Sequence, residues 1–248
     1  MNSSQFNENT SLTIILPVMD EVISQQRTLA TLEKDFGTSL RMIIVVCEKT
    51  TNESLEIARQ YVKSREGVEL LWQTRPFLGG AIQDAIDIVK TSHFLIMASD
   101  CETNPSDAIH LWEVSQKNPS SIIIGSRWLN ANSFSQYGKA RLLANRVFQF
   151  MMSTMWQQSI TDFTFGFRVI PVQYARRIYP TSLKHEYLLE SFLLMLKLGA
   201  VVIEIPTVWK ARVEGVSHNV FKRNIKYLQT AVQIKLGLPK RNNANGGN

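Results

Sequence analysis

Short, continuously apolar runs punctuate the first half of the chain, and amphipathic stretches separate them. Leu12–Leu16 (LTIIL) stops at Pro17; Met42–Val46 (MIIVV), Val68–Trp72, Phe94–Ala98 (FLIMA) and Ser121–Gly125 follow in turn. Runs of this length with apolar residues at every position are the pattern of strands buried on both faces. Helical spacing fills the intervals: Glu21–Phe36, about Glu53–Val62 behind the cap-type residues Thr50, Thr51 and Asn52, a stretch opened by Gly79-Gly80 and running to about Lys90, and one capped by Ser106 that ends near Gln116. Strand and helix alternating in this way predict an α/β fold, with a mostly parallel central sheet covered by helices on both faces. The second half is less regular. It predicts a helix over Ala140–Met155, a strand at Phe167–Ile170, a helix over Tyr187–Leu198, a strand Val201–Ile205 ended by Pro206, and a last helix Val220–Leu236.

Sheets of this kind bind ligands beyond the carboxyl ends of their strands, so the residues after each apolar run are the candidates. Asp100 and Glu102 directly follow FLIMA. Two carboxylates two residues apart on an extended turn can face one way and hold Mg²⁺ or Mn²⁺ while leaving positions open for phosphate oxygens. The competing reading is a solvated acidic turn ahead of the helix cap at Asn104-Pro105. Glu21, in the turn Pro17–Glu21 (PVMDE), and Glu48 are strand-end acids suited to a nucleoside, or simply acids that complement a helix dipole. Gly79-Gly80 would let a phosphate or sugar approach closely, or make a tight turn into a helix. The pair fits neither the phosphate-loop nor the dinucleotide glycine pattern. Arg127 after the fifth run, with Arg141 and Arg146 beyond it, suits phosphate. Two further segments stand out, Asp162–Arg168 (DFTFGFR) and Arg212–Ser217 (RVEGVS).

Composition narrows the picture. With 248 residues, 44% of them hydrophobic and 19% charged, the chain can bury a sizeable core without staples. Its two cysteines, Cys47 and Cys101, are too few for a disulfide framework and match no zinc spacing. No secretory signal or transmembrane helix is visible, and the expected location is cytoplasmic. The net charge of +6 is concentrated near the C-terminus: from Lys210 to Arg241 the only acid is Glu214. Within that segment Phe221, Ile225, Leu228 and Val232 recur at helical spacing beside Lys222, Arg223, Lys226 and Lys235. Such a helix lies on an anionic membrane surface at its inner face, or packs on the domain with a solvated basic face. The segment lacks the aromatic platforms of a nucleic-acid binder, so no nucleic-acid partner is expected. The sequence leaves the oligomeric state open.

The order of these motifs resembles family 2 glycosyltransferases, in particular the dolichol-phosphate mannosyltransferase-like branch. The resemblance runs from about Leu12 to Leu236 and is carried by DFTFGFR, IIIGSR, IEIPTVWKARVEGVS and TIILPVMDE. It implies a GT-A (Rossmann-like) fold over 11–218, followed by the basic amphipathic helix that the spacing places over 219–241; the polar ends, 1–10 and 242–248, are expected to be disordered. The resemblance implies transfer of a hexose from GDP-mannose or a UDP-hexose, by metal-assisted inverting displacement, to an acceptor such as a polyprenyl phosphate. A glycan or small-molecule hydroxyl acceptor, and a non-catalytic nucleotide-sugar binder, are the alternatives. By resemblance, Pro17, Met19, Glu21 and Glu48 border the nucleobase, and Gly79 and Gly80 line the donor site. Asp100 and Glu102 hold Mg²⁺ or Mn²⁺, and Arg127, Arg141, Arg146, Arg212 and Ser217 face phosphates. Asp162 shapes the acceptor side; for a hydroxyl acceptor it and Glu190 are the base candidates. The chain departs from the family pattern at Ala98, where the first metal-motif aspartate is expected, at Cys47-Glu48 in place of an Asp-Asp pair, at Lys49 in place of a glycine, and at Met19 in place of an aromatic residue.

Overall fold

A computed structural model describes residues 10–134, 138–210 and 220–238 of the protein, with the backbone alone over 220–225. In chain order the elements are β1 (Leu12–Pro17), α1 (Ile23–Phe36), β2 (Met42–Val46), α2 (Asn52–Ser64), β3 (Val68–Trp72), α3 (Phe77–Ile88), β4 (His93–Ile96), α4 (Asp107–Lys117), β5 (Ser121–Ser126), α5 (Lys139–Trp156), β6 (Arg168–Pro171), α6 (Val172–Ala175), α7 (Glu186–Lys197), β7 (Val201–Pro206) and α8 (Val220–Leu236), with short 3₁₀ turns at Gly37–Ser39 and Arg127–Leu129. The strands form one seven-stranded sheet in the order β3-β2-β1-β4-β6-β5-β7. β6 is antiparallel to both β4 and β5; every other pairing is parallel.

Alternation along the strands divides the core into two. Ile15, Ile43, Val45, Ile96, Ile122 and Ile124 pack against α3, α5, α7 and α8. Ile14, Leu16, Met42, Ile44, Val46, Leu95 and Ile123 pack against α1, α2 and α4. Both faces of the inner strands are therefore buried, which is why those strands read as apolar runs, whereas the edge strands β3 and β7 are partly exposed. Local signals set the helix starts. Thr51 caps α2 by accepting the Ser54 N–H, and Glu53 sits in the first turn, a combination worth about 1 kcal/mol.

Three expectations are corrected. β4 ends at Ile96, so Met97 and Ala98 belong to the turn beyond it, although the Met97 N–H still donates to Ile15 O (3.1 Å). α3 starts at Phe77, which puts Gly79 and Gly80 inside its first turn. In α8 the line that meets the core runs through Tyr227, Thr230 and Ala231, whereas Val232 is exposed, Leu228 is half-buried, and the side chains of Phe221, Lys222, Arg223 and Ile225 lie outside the described residues. The expected stripe is thus rotated. The helix packs on α7 and α5, with Phe148 against Tyr227 at 6.5 Å between ring centres.

Candidate active site

The turns after β1, β2 and β4 are knitted into one surface at the carboxyl edge of the sheet. Ser99 Oγ donates to Pro17 O (3.3 Å), Thr50 Oγ1 donates to Val18 O (3.0 Å), and the Thr51 N–H donates to Met19 O (2.8 Å). Glu21 turns back on its own loop, its Oε2 accepting the Met19 N–H at 2.9 Å, while the Met19 side chain stays exposed. In the next turn Asp100 is buried and its Oδ1 accepts the Glu102 N–H (3.0 Å). Cys101, between them, has φ +54°, the left-handed region that residues with a Cβ rarely occupy. Its Sγ lies 3.4 Å from both Ser24 O and Thr28 Oγ1, which tie it to α1. The two carboxylates flank this strained residue in the bend. Glu102 is held at its far end as well, where Oε2 accepts the Trp209 Nε1–H at 3.2 Å. These are hard oxygen donors of the kind Mg²⁺ and Mn²⁺ take. Among the described residues no cluster of three metal-ligating side chains exists, so a cation here needs ligand phosphates and water to complete its shell.

A second cluster occupies the ends of β5 and β7 and the segment entering β6. Arg127 donates to Asp162 through both Nε (2.7 Å, to Oδ2) and Nη2 (2.8 Å, to Oδ1), and Asp162 is fully buried. The guanidinium lies over Phe165, 4.3 Å from its ring centre. Behind this pair Glu204 of β7 accepts from the Thr161 N–H (2.8 Å) and the Asp162 N–H (3.0 Å). Burial raises the Glu204 carboxyl above the usual range, against the pull of those amides. Arg168, also fully buried, donates to Leu188 O (2.9 Å) and Phe163 O (2.7 Å), stacks on Phe192 and leaves its Nε without a partner. Desolvation lowers it to about 10, opposed by the Asp162 charge. Two arginines and two carboxylates thus share one interior patch.

The sequence profile described as Glycosyl transferase family 2 matches residues 13–179. The chain belongs to this family. Glucosyl-3-phosphoglycerate synthase from Mycobacterium tuberculosis, solved with Mn²⁺, uridine diphosphate and glucosyl-3-phosphoglycerate, superposes with a TM-score of 0.71 at 9% identity, over 94% of this chain and 82% of that one. A mannosyltransferase from Pyrobaculum calidifontis, solved with GDP-Man and Mn²⁺, gives 0.63 at 13% identity, over 92% and 65%. At these identities the likeness is one of fold, and the fold is GT-A.

Within this family 2 glycosyltransferase the candidates sort unevenly. Pro17, Met19, Glu21, Asp100 and Glu102 come together at one edge, and Glu48 is exposed on the turn after β2. Arg127 and Asp162 come together as well, but as each other's partners: the expectation that one faces phosphate and the other takes a proton meets a bidentate ion pair. Glu190, the other base candidate, is likewise occupied by the N–H groups of Thr181 (3.0 Å) and Ser182 (2.8 Å). Gly79 and Gly80 donate their N–H groups to Leu183 O (2.7 and 3.2 Å). A Cβ on Gly79 would lie 2.5 Å from Tyr187 Cβ, and one on Gly80 would lie 2.5 Å from Arg75 O. Gly79 thus lets α3 close on the segment before α7, and Gly80 lets it close on the turn at Arg75. Arg141 and Arg146 are exposed on α5. Arg212 and Ser217 lie outside the described residues. Sequence reasoning assigned no role to Arg168, Glu204 or Trp209. The signal for the first two was a lone charge inside an apolar strand.

Proposed function

We propose that the protein transfers a hexose from a nucleoside-diphosphate sugar, GDP-mannose or a UDP-hexose, to a lipid phosphate of the polyprenyl class at an anionic membrane surface. The observation that carries the acceptor class is the engagement of both candidate bases. Asp162 is neutralised by Arg127, and Glu190 is held by two backbone amides. A hydroxyl acceptor needs a carboxylate to take its proton, whereas a phosphate is already an anion and needs positioning. Asp100 and Glu102 fit Mg²⁺ or Mn²⁺, which, when bound with the donor, offsets the charge growing on the departing diphosphate. Around it the chain's own residues do the rest: the Pro17–Glu21 turn and Glu48 border the nucleoside, and the exposed arginines of α5 draw phosphate.

The membrane side of this reading rests on α5. Leu143 (64% exposed), Val147 (49%), Phe150 (72%) and Met151 (40%) form one uncovered stripe at helical spacing. Lys139 and Arg146 border it, and neither α5 nor α8 contains an acid. A basic rim around an apolar stripe is the pattern of a helix lying in a bilayer interface. No described helix is long and apolar enough to cross a membrane, so this contact is peripheral. The test is turnover of GDP-mannose and UDP-glucose, with Mn²⁺, on polyprenyl phosphate in anionic vesicles and on soluble sugar hydroxyls. Product on the lipid alone supports the reading; product on the soluble acceptor alone overturns the acceptor, and donor binding without turnover on either overturns catalysis.

A further inference from the structure

The cation-facing turn is anchored by a residue far away in sequence. Trp209 donates its indole N–H to Glu102 Oε2 (3.2 Å) across 107 positions of chain. Beside that bond the Lys210 N–H donates to Glu102 O (2.9 Å), and Thr103 and Trp209 form an antiparallel bridge. The tryptophan is itself fixed. Its backbone N–H donates to Ser133 Oγ (3.2 Å), whose hydroxyl donates to Thr207 O (3.0 Å). Its ring stacks on Phe134 with centroids 6.0 Å apart, and Phe134 meets Trp128 at 4.6 Å.

We propose that Trp209 is the positioning residue of the metal site, its indole N–H setting the orientation in which Glu102 meets the divalent cation. The inference rests on Asp100 and Glu102 holding that cation, the reading given above. Ala98 contributes no oxygen where a third acid would stand, so the chain brings two carboxylates, and the orientation of each carries a larger share of the affinity. A donor that fixes a ligating carboxylate typically controls affinity about 10–100-fold. The arrangement also joins two parts of the fold. The turn after β4 and the chain leaving β7 are joined by the Trp209 and Lys210 hydrogen bonds to Glu102, so occupation of the first is felt at the second.

Two measurements test this. Mn²⁺ binding in the presence of UDP or GDP, followed by electron paramagnetic resonance, compares wild type, Asp100→Ala and Trp209→Phe, the last of which keeps an aromatic ring to stack on Phe134. We expect binding to be lost in Asp100→Ala and weakened about 10–100-fold in Trp209→Phe. In ¹⁵N-tryptophan spectra of the wild type, which has five tryptophans, the indole resonance absent from Trp209→Phe is expected to shift most when Mg²⁺ and nucleotide are added. The wild-type titration stands alone if Trp209→Phe fails to fold, with Trp209→His then assigning the resonance. Mn²⁺ bound by wild type, lost in Asp100→Ala and unchanged in Trp209→Phe overturns the inference and leaves the metal reading standing. So does Mg²⁺ binding with an unmoved Trp209 indole. No metal binding by wild type with either nucleotide overturns both.

Discussion

At the ends of β1 and β4, two carboxylates accept backbone N–H groups close by. Glu21 takes the Met19 amide and Asp100 takes the Glu102 amide, each two residues away. At the ends of β5 and β7, side chains are held by groups 35 to 43 residues distant, Arg127 by Asp162 and the Thr161–Asp162 amides by Glu204. On the first edge local turns set these two carboxylates, and longer links such as Trp209 to Glu102 then tie the turns to the rest of the fold. The second forms only when the whole sheet has assembled, and it keeps its charges inside. Neighbouring halves of one carboxyl edge are thus built differently: one sets its carboxylates by local turns and the other by an interior ion-pair frame.

Removing one charge from the interior half is expected to have the largest effect. Asp162→Ala leaves Arg127 without its counter-charge and should cost about 3–5 kcal/mol in urea unfolding. Asp100→Ala, on the other half, gives up the acceptor of the Glu102 N–H and should cost about 1 kcal/mol while abolishing Mn²⁺-dependent stabilisation by the donor. Equal losses at the two positions would erase the distinction. Next comes Gly79→Ala. The new methyl meets Tyr187 Cβ and Leu183 O at under 3 Å, and a loss of about 1–3 kcal/mol is expected. Unchanged stability with weakened donor binding would instead return the glycine pair to the ligand surface.

A smaller effect comes from the opposite end of the sheet, where β4 begins. His93 is buried there with Nε2 2.9 Å from Pro119 O, and burial lowers its pKa below the usual value. The unfolded chain therefore takes up the proton first. The contribution of neutral His93 is full above the unfolded value, near 6.5, and is lost as pH falls through the folded one. The melting temperature of wild type should drop over that window, and His93→Gln should flatten the slope. A parallel slope in both proteins would assign it to other groups. The smallest expected change in stability is that of Phe150→Glu, within about 0.5 kcal/mol, and yet this variant should release the protein from anionic vesicles. Retained sedimentation would move the membrane contact off α5.

Legibility in the sequence followed the same divide. Strands announce themselves as apolar runs; Met42–Val46, buried throughout, and the edge strand Val68–Trp72 were bounded to the residue, and so was helix Val220–Leu236. Asp100 and Glu102 could be found because their arrangement is local, a strand end followed by two acids. Arg127 and Asp162 could be found as residues but not as a pair, since nothing along the chain records which distant carboxylate meets which arginine. Glu204 and Arg168 read as interruptions of apolar strands, and only the sheet order, with β6 between β4 and β5, brings their segments to one place. The stripe on α8 was misplaced because helical periodicity gives a face without saying what covers it. α5 was read as a helix over Ala140–Met155, and its exposed apolar side, Leu143, Val147, Phe150 and Met151, went unremarked.

The reversed direction of β6 also makes part of the molecule exchangeable. The chain leaves the carboxyl edge at Ser126 and re-enters the sheet at Arg168, at that same edge and in the neighbouring strand. Residues 127–167 are thus one long excursion between two adjacent anchor points, and they carry Arg127, the whole of α5 and Asp162. A graft of this excursion from one relative to another would carry over the ion pair and the exposed face of α5 together, and with Ser133 and Phe134 it would also carry the contacts that fix Trp209 beside Glu102.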